Sequence, residues 1–345
     1  MPLLQTNRRD FLTGTASAFT LSFLPGAGRA QAMIEMTAAQ AVETLYYLPL
    51  YVAHAKGFFA EEGLDVTIFN AQQRTVAVRA VASGDAFTYN GDPAEPAIAR
   101  EQGVDIKNIG VLVDRAAPVL IGQPGTSADP ADWAGNNILI PRPPHTSVSL
   151  LQMTLIDAGY EKQDGDGLVW ALEGDEVRLI PVIAGSELSA LLAGQADLAV
   201  VIEPQTSKGV AQGMDVVTSF AEQFGPFYFT SFAVMTQAIA DNPEQVQAFV
   251  NGITRAMVYG HEDPDGAAEV AVNRYSDSDP EIMAAAAKRI IAQGAYPSNM
   301  VVSRESYANN FDRLLTATGH PAAGYAFEEL MDLSFAEKAA ATFTR

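Results

Sequence analysis

Short β-like runs alternate with helical patterns from Met33 onward, and this alternation constrains the fold more than any other feature of the chain. Ile34 to Ala39 predicts a strand, and the apolar spacing of Leu48 to Ala60 predicts a helix that ends by Gly63. Repeated units of this kind are typical of an open, mostly parallel sheet, so the sequence predicts an α/β protein. The further predicted strands are Asp65–Phe69, Ala86–Tyr89, Asn137–Ile140, Val177–Ile183 and Asp197–Ile202, and the further helices include Thr75–Ser83 and Glu187–Ala193.

Two segments rich in proline and glycine divide this pattern. Pro124 to Pro130 predicts a first hinge, after which the alternation restarts, and Gly225-Pro226 predicts a second. Beyond Asn242-Pro243 the pattern is helical almost to the end. Two lobes of about 100 to 200 residues suit a chain of this length.

Residues 1–32 have the three parts of a cleaved export signal. Arg8-Arg9 forms a basic start, Thr13 to Leu24 is mildly apolar, and Ala30-Gln31-Ala32 supplies a small-residue cleavage site. The apolar part is too short to span a bilayer. The Arg-Arg-x-Phe-Leu order resembles a twin-arginine signal, although Asn7 stands where serine or threonine is usual. We therefore expect a periplasmic protein, exported in the folded state.

Composition excludes several classes of protein. The chain has no cysteine, which rules out disulfides, thiolate metal sites, cysteine nucleophiles and lipid attachment through an N-terminal cysteine. It carries 21 basic and 41 acidic side chains, and residues 33–345 keep 18 and 40 of these. A field of that sign repels nucleic acid and anionic lipid. We expect a monomer with no nucleic-acid partner and no stable membrane insertion.

One pattern occurs twice. A predicted helix ends at Gly84 and the next strand leads to Asp92-Pro93, and the same order runs from Gly194 to Glu203-Pro204. Two similar lobes that present the same loop explain this repetition, and chance within general α/β patterns explains it equally well.

The stretch from Leu50 to Val66, which reads LYVAHAKGFFAEEGLDV, resembles the opening helix of periplasmic substrate-binding proteins of the nitrate, sulfonate and taurine class. That class includes relatives that bind pyrimidine precursors of thiamine. Ala80 to Asp85, Leu191 to Pro204 and Asn242-Pro243-Glu244 are similar to later parts of the same family, in the same order.

The resemblance implies a periplasmic-binding-protein type II fold, with two lobes joined by two crossing segments. We expect a signal peptide at 1–32, a first lobe at 33–122 and 228–345, and a second lobe at 123–227. It also implies that the protein captures a small molecule and delivers it to the permease of an ABC importer, which works with a cytoplasmic ATPase.

Ligands of open α/β sheets bind beyond the carboxyl ends of the strands, so the loops there predict the site. Tyrosine rings can stack on a flat ligand, serine, threonine and the first amides of a helix can hold an anion with help from arginine or histidine, and carboxylates accept hydrogen bonds from nitrogen. The candidate ligand-binding residues are Tyr46, Tyr47, Tyr89, Asn90, Asp92, Arg142, His145, Thr146, Ser147, Glu203 and Tyr228.

Simpler interpretations remain for these residues. Any one of the tyrosines can be a core residue, Thr146 or Ser147 can be a helix cap, Arg142 can pair with a surface acid, and Asp92 or Glu203 can bind its own loop. With two acids and one certain cation, the loops favour an aromatic or heterocyclic ligand over a small oxyanion such as nitrate or a sulfonate.

Other functions are less favoured. The sequence has no His-Glu-x-x-His, Gly-x-Ser-x-Gly or phosphate-binding glycine loop, and its four histidines lack the spacing of metal ligands. We expect no catalytic residue, metal or cofactor. The resembling family includes a thiamine-pyrimidine synthase, but that class is cytosolic. An exported enzyme and a protein that presents its ligand to a sensory receptor remain as alternatives.

Overall fold

The structure is a computed structural model that describes residues 32–143 and 145–343, so the predicted export signal lies outside the described residues except for Ala32. The strands are β1 Ile34–Gln40, β2 Leu64–Asn70, β3 Thr88–Gly91, β4 Ile106–Arg115, β5 Val119–Gly122, β6 Asn137–Pro141, β7 Glu161–Lys162, β8 Val169–Leu172, β9 Asp175–Val182, β10 Leu198–Val201, β11 Asp215–Ser219 and β12 Pro226–Met235.

The helices alternate with these strands and then follow one another at the C-terminus. They are α1 Leu48–Ala55, α2 Phe58–Glu61, α3 Arg74–Ser83, α4 Glu95–Glu101, α5 Thr146–Asp157, α6 Glu187–Leu192, α7 Gln205–Ala211, α8 Phe220–Phe224, α9 Thr236–Asp241, α10 Pro243–Glu262, α11 Pro264–Arg274, α12 Pro280–Ala292, α13 Arg304–Ala308, α14 Phe327–Leu330 and α15 Ser334–Phe343. The 3₁₀ turns Leu45–Tyr47 and Pro130–Trp133 and the π-helix Asn309–Leu315 complete the described elements.

The strands form two sheets. The first has the order β2-β1-β3-β12-β4, and the second has the order β11-β5-β10-β6-β9-β8-β7. β1 is parallel to β2 and β3, whereas β12 runs antiparallel to β3 and β4. We call strands β1–β4 and β12 with the helices packed on them the first lobe, and strands β5–β11 with theirs the second lobe. The predicted α/β class is confirmed.

Local sequence explains where several elements end. Gly57 takes a left-handed conformation with φ of 78°, so the helix that was predicted from Leu48 to Ala60 is split into α1 and α2. Gly84, with φ of 82°, ends α3 as predicted. The strand predicted at Ala86–Tyr89 lies two residues later, because Tyr89 and Asn90 pair with the end of β1.

The first crossing between the lobes differs from the prediction. β4 ends at Arg115 in the first sheet, and β5 begins at Val119 in the second, where it is buried between β11 and β10. The predicted hinge at Pro124–Pro130 is therefore wrong, since this loop joins two elements of the second lobe. The chain returns through α8 and Gly225, so the crossing predicted at Gly225-Pro226 agrees with the structure.

The C-terminal helices cover the first sheet. The core there joins apolar side chains of α1, α10, α11, α12 and α15 to β1 and β12. The π-helix also reaches the second lobe, because Leu314 packs in that lobe's core and Arg313 pairs with Asp157 of α5 at 2.5 Å. Of the helices described, none is long and apolar enough to cross a membrane.

Candidate ligand-binding site

The two lobes meet at the carboxyl ends of their strands. Ile202, which follows β10, packs against the core of the first lobe. Glu203 of the second lobe lies 3.1 Å from Nε of Arg289 on α12 of the first. His145, at the start of α5, experiences the charges of Arg74 and Asp92 in the first lobe. His145 and Glu203 of the second lobe therefore face the first lobe across one interface, which we call the cleft.

The Asp92 loop is fixed by contacts within the first lobe. Tyr89 is buried beneath α3, and its hydroxyl oxygen accepts a hydrogen bond from the backbone N–H of Asp92 at 2.9 Å. Only glycine fits at position 91, since a Cβ there would lie 2.1 Å from that hydroxyl. The Asp92 carboxylate accepts from the backbone N–H of Ala94 at 2.9 Å. Tyr89 and Asp92 thus support the loop.

Arg74, which the sequence analysis missed, binds two carboxylates beside this loop. Its Nη1 lies 3.3 Å from Asp92 and 3.0 Å from Glu95. Burial raises the pKa of Glu95, and the neighbouring Arg74 opposes that rise. Arg74 is the first residue of α3, and nothing in the local sequence indicates that it faces a residue 18 positions later.

Glu203 has a corresponding position in the second lobe. Its carboxylate accepts hydrogen bonds from the backbone N–H of Ser207 at 3.0 Å and from the Ser207 hydroxyl at 3.1 Å. The Arg289 N–H does not point along its short contact with Glu203, so this contact is an ion pair rather than a hydrogen bond. Burial raises the pKa of Glu203. Both acids predicted to bind ligand are thus held by their own loops and by arginine.

The 3₁₀ turn after β1 brings two tyrosines to the cleft. Tyr46 packs its ring edge-on against Phe229 at 5.4 Å, and its hydroxyl has no hydrogen-bond partner among the described residues. Burial, and then the charge of Glu203, raise the pKa of Tyr46 far above its usual range. Tyr47 is also buried, and burial is the main reason that its pKa is raised.

The start of α5 provides the second lobe's polar groups. The cap of this helix is His145, whose Nδ1 accepts from the backbone N–H of Ser147 at 3.2 Å. Burial, and then Arg74, lower the pKa of His145, so the ring is neutral and carries its proton on Nε2. Thr146 and Ser147 therefore lie inside the first turn and do not cap it. Arg142 is exposed and makes no ion pair with another described residue.

Several polar atoms at the strand ends lack partners within the described part of the chain. Asn90 is fully buried, and neither its side-chain oxygen nor its nitrogen is hydrogen-bonded. Nε2 of Gln40 on the neighbouring strand and the hydroxyl of Ser147 in the second lobe are also unpaired within these residues. These atoms are neutral donors and acceptors. These atoms could therefore form hydrogen bonds with a bound ligand.

Tyr228 does not join these groups. It is buried in a cluster with Tyr307 and Phe311, and its hydroxyl donates to Sδ of Met331 at 3.6 Å. Packing between β12 and the C-terminal helices explains this position, and the predicted ligand contact of Tyr228 has no support in it.

A separate open pocket of about 690 Å³ lies at the amino ends of β1 and β2. Its walls include Glu35, Asp65 and Asp85 and none of the predicted site residues. We place the candidate site at the cleft, because Gln40, Tyr46 and Asn90, which are among the residues with buried polar atoms that lack partners in the described part of the chain, lie at or just beyond the carboxyl ends of β1 and β3.

Comparison with known proteins identifies the family. The model for NMT1/THI5-like proteins matches residues 44–267. The chain belongs to this family. The riboflavin-binding protein RibY of Chloroflexus aurantiacus is 25% identical over 268 residues, which are 75% of this chain and 72% of RibY.

Solved structures share the fold. The periplasmic nitrate-binding protein NrtA of Synechocystis has a TM-score of 0.67 at 13% identity, with 90% of this chain and 89% of NrtA covered. The periplasmic aliphatic sulphonate-binding protein SsuA of Escherichia coli has a TM-score of 0.66 at 12% identity, with 86% and 95% covered. The predicted type II periplasmic-binding-protein fold is confirmed. The same fold occurs in an enzyme, since the desulfurization enzyme DSZB has a TM-score of 0.61 at 15% identity, with 90% of this chain and 99% of DSZB covered.

Proposed function

We propose that this protein is the solute-binding component of an ABC importer, which captures a small organic molecule between its lobes and delivers it to a membrane permease and its cytoplasmic ATPase. The observation that carries the proposal is the set of buried polar atoms without a hydrogen-bond partner among the described residues, on Gln40, Tyr46 and Asn90 in the first lobe and on Ser147 in the second. Buried polar groups are nearly always hydrogen-bonded, so these atoms require a partner.

The charges at the cleft favour a neutral ligand. Arg74 and Arg289 contact three carboxylates in total, so the positive charges of these guanidinium groups are already balanced within the protein. Burial lowers the pKa of His145 and so favours its neutral form. The structure adds Arg74 and Arg289 to the cation predicted from the sequence, and both are already paired with carboxylates, whereas Arg142 is exposed. A heterocycle that uses hydrogen bonds and stacks on aromatic rings therefore suits the site better than nitrate or a sulfonate.

Export belongs to the same proposal. The relatives NrtA and SsuA are described as periplasmic proteins. The predicted twin-arginine signal at residues 1–32, with cleavage after Ala32, would bring this chain to the same compartment.

Binding without turnover is the test that separates this proposal from its alternatives. The mature protein should be unfolded in urea to release any retained molecule, refolded, and titrated in a calorimeter with riboflavin, ethanesulfonate and nitrate, which represent the ligands named for its relatives. Mass spectrometry of the released fraction should identify a retained solute. We expect saturable binding of an organic solute and its recovery unchanged.

Conversion of the solute to a product would instead support an exported enzyme. Binding of a solute whose uptake into cells does not depend on the protein would support the sensory alternative. A protein that retains no small molecule and binds none of the three compounds would contradict a solute-binding role.

A further inference from the structure

Asn90 is a buried amide whose hydrogen-bonding capacity is unused. Its exposed fraction is 0%, and both the oxygen and the nitrogen of its side chain lack partners within residues 32–143 and 145–343. An amide can donate two hydrogen bonds and accept two. Native proteins rarely leave such a group unpaired, because burial removes the water that would otherwise bind it.

The position of Asn90 on its strand places the amide on the face of the first sheet that packs against α1. Successive side chains of a strand point to opposite faces, and Tyr89 points to the face beneath α3. Asn90 therefore lies on the other face, beside Gln40 of β1 and Phe232 of β12, its partners in register. Asn90 is the penultimate residue of β3, so its amide lies at the carboxyl end of this strand.

Neighbouring groups leave this amide available. The Gln40 oxygen already accepts a hydrogen bond from Tyr51 at 3.0 Å, while its nitrogen is unpaired. In the second lobe, the Ser147 hydroxyl is 1% exposed and also has no partner among the described residues. A ligand held here would meet an acceptor on Asn90 and two amide donors, one on Asn90 and one on Gln40.

A second buried asparagine shows what a structural amide looks like in the same lobe. Asn108 is also fully buried, but its nitrogen donates to the backbone oxygen of Pro93 at 2.9 Å and its oxygen accepts from Ser231 at 2.7 Å. Asn108 thus satisfies its polar atoms within the protein. The contrast with Asn90 indicates that the amide at position 90 has a partner outside the chain.

We propose that Asn90 determines ligand specificity by forming two parallel hydrogen bonds, one donated and one accepted, with a neutral ligand that carries a donor and an acceptor side by side, as on the edge of a lactam. This inference rests on the proposed function and adds the chemistry that the site recognises. The geometry is the one by which asparagine and glutamine amides read adjacent donor and acceptor atoms on a ring.

The test uses a pair of probes that differ only at this edge. 2-Pyridone has adjacent N–H and C=O groups, and 1-methyl-2-pyridone lacks the N–H. Both should be titrated into the refolded mature protein by ligand-observed NMR and calorimetry. We expect 2-pyridone to bind at least tenfold more tightly, because the methyl group removes one hydrogen bond and leaves the Asn90 oxygen unpaired.

Variants assign this preference to Asn90. In Asn90→Leu the preference for 2-pyridone should disappear, and in Asn90→Asp, which loses the NH₂ donor, binding of 2-pyridone should weaken at least tenfold. Asn242→Asp makes the same chemical change at an exposed position beside α10 and should leave both affinities unchanged.

Equal binding of the two probes, binding of neither, or a preference that persists in Asn90→Leu would overturn the inference. Such a result would leave the proposed function intact if the protein still retained an organic solute, because that property is measured separately by mass spectrometry. Melting curves of each variant without probe would show that a lost preference does not reflect loss of folding.

Discussion

The unpaired amide of Asn90 should cost the ligand-free protein stability, and replacing it should recover part of that cost. Leucine has the same branched skeleton as asparagine but no polar atoms. At Asn90 the substitution removes two unpaired atoms, whereas at Asn108 it removes two formed hydrogen bonds and leaves the Pro93 oxygen and the Ser231 hydroxyl without partners. We expect Asn108→Leu to be strongly destabilising and Asn90→Leu to be close to neutral or stabilising.

The magnitude follows from the number of unpaired groups. A buried polar group without a partner costs about 1 to 3 kcal/mol, so Asn108→Leu should cost about 2 to 6 kcal/mol for two groups. Asn90→Leu removes one unpaired amide and should recover at least about 1 to 3 kcal/mol, less a similar cost for the larger methyl groups. This size cost is common to both variants, so their difference should be at least about 3 kcal/mol.

Thermal unfolding followed by circular dichroism is the assay. A domain of 150 to 250 residues shifts by roughly 2 to 4 °C per kcal/mol, so the two variants should melt at least about 5 °C apart. Retained ligand must be removed first, since a ligand at one hundred times its Kd adds about 2.7 kcal/mol to the protein that binds it. Such a contribution would mask the effect in the wild type.

Equal destabilisation by the two substitutions would refute the reasoning, because it would mean that the Asn90 amide is bonded within the folded chain. A stability gain in Asn90→Leu combined with loss of ligand binding would be the signature of a group retained for function at a cost in stability.

Three further predictions concern other parts of the chain. Replacing Arg8 and Arg9 with lysine should retain the precursor in the cytoplasm, and normal periplasmic yield in cell fractions would disprove twin-arginine export. Arg289→Met should weaken the contact between the ligand-free lobes by about 1 kcal/mol, because the Arg289 side chain is 34% exposed and water partly screens its ion pair with Glu203. Small-angle scattering should then show a larger radius of gyration. An unchanged radius would mean that this ion pair does not hold the lobes together. Burial raises the pKa of Asp114 from 3.8 to about 6, so the folded state holds a proton that the unfolded state releases between about pH 4 and 6. Stability should therefore fall across that window relative to Asp114→Asn by roughly 2 to 3 kcal/mol in denaturant titrations, and parallel profiles for the two proteins would argue against this shift.

The sequence was sufficient to predict the elements but not all of their partners. β1 and α3 end close to their predicted positions, because strand patterns and glycine stops act within a few residues of chain. The hinge at Pro124–Pro130 was predicted wrongly, since proline and glycine mark a loop without showing which sheet the preceding strand joins. β5 enters the second sheet through pairs with β10 and β11, which lie far along the chain.

For the candidate site, too, the sequence predicted local positions but not the tertiary contacts. The general position of Asn90 and Ser147 followed from the rule that ligands bind beyond strand ends. The roles of Asp92 and Glu203 did not, because Arg74 and Arg289, which neutralise them, come from helices that no local pattern connects to those loops. Contacts of this kind depend on tertiary packing.

Charged and neutral groups at the cleft have different roles in this arrangement. The ion pair of Glu203 with Arg289 joins the lobes, and the pair of Asp92 with Arg74 fixes the loop that follows β3. Their charges are satisfied inside the protein, so a charged ligand would have to compete for partners that are already in use. The amide of Asn90 has no such partner among residues 32–143 and 145–343. Selection among solutes therefore depends on the match of donors and acceptors, for which a single missing hydrogen bond leaves a buried group unpaired and lowers affinity about tenfold or more.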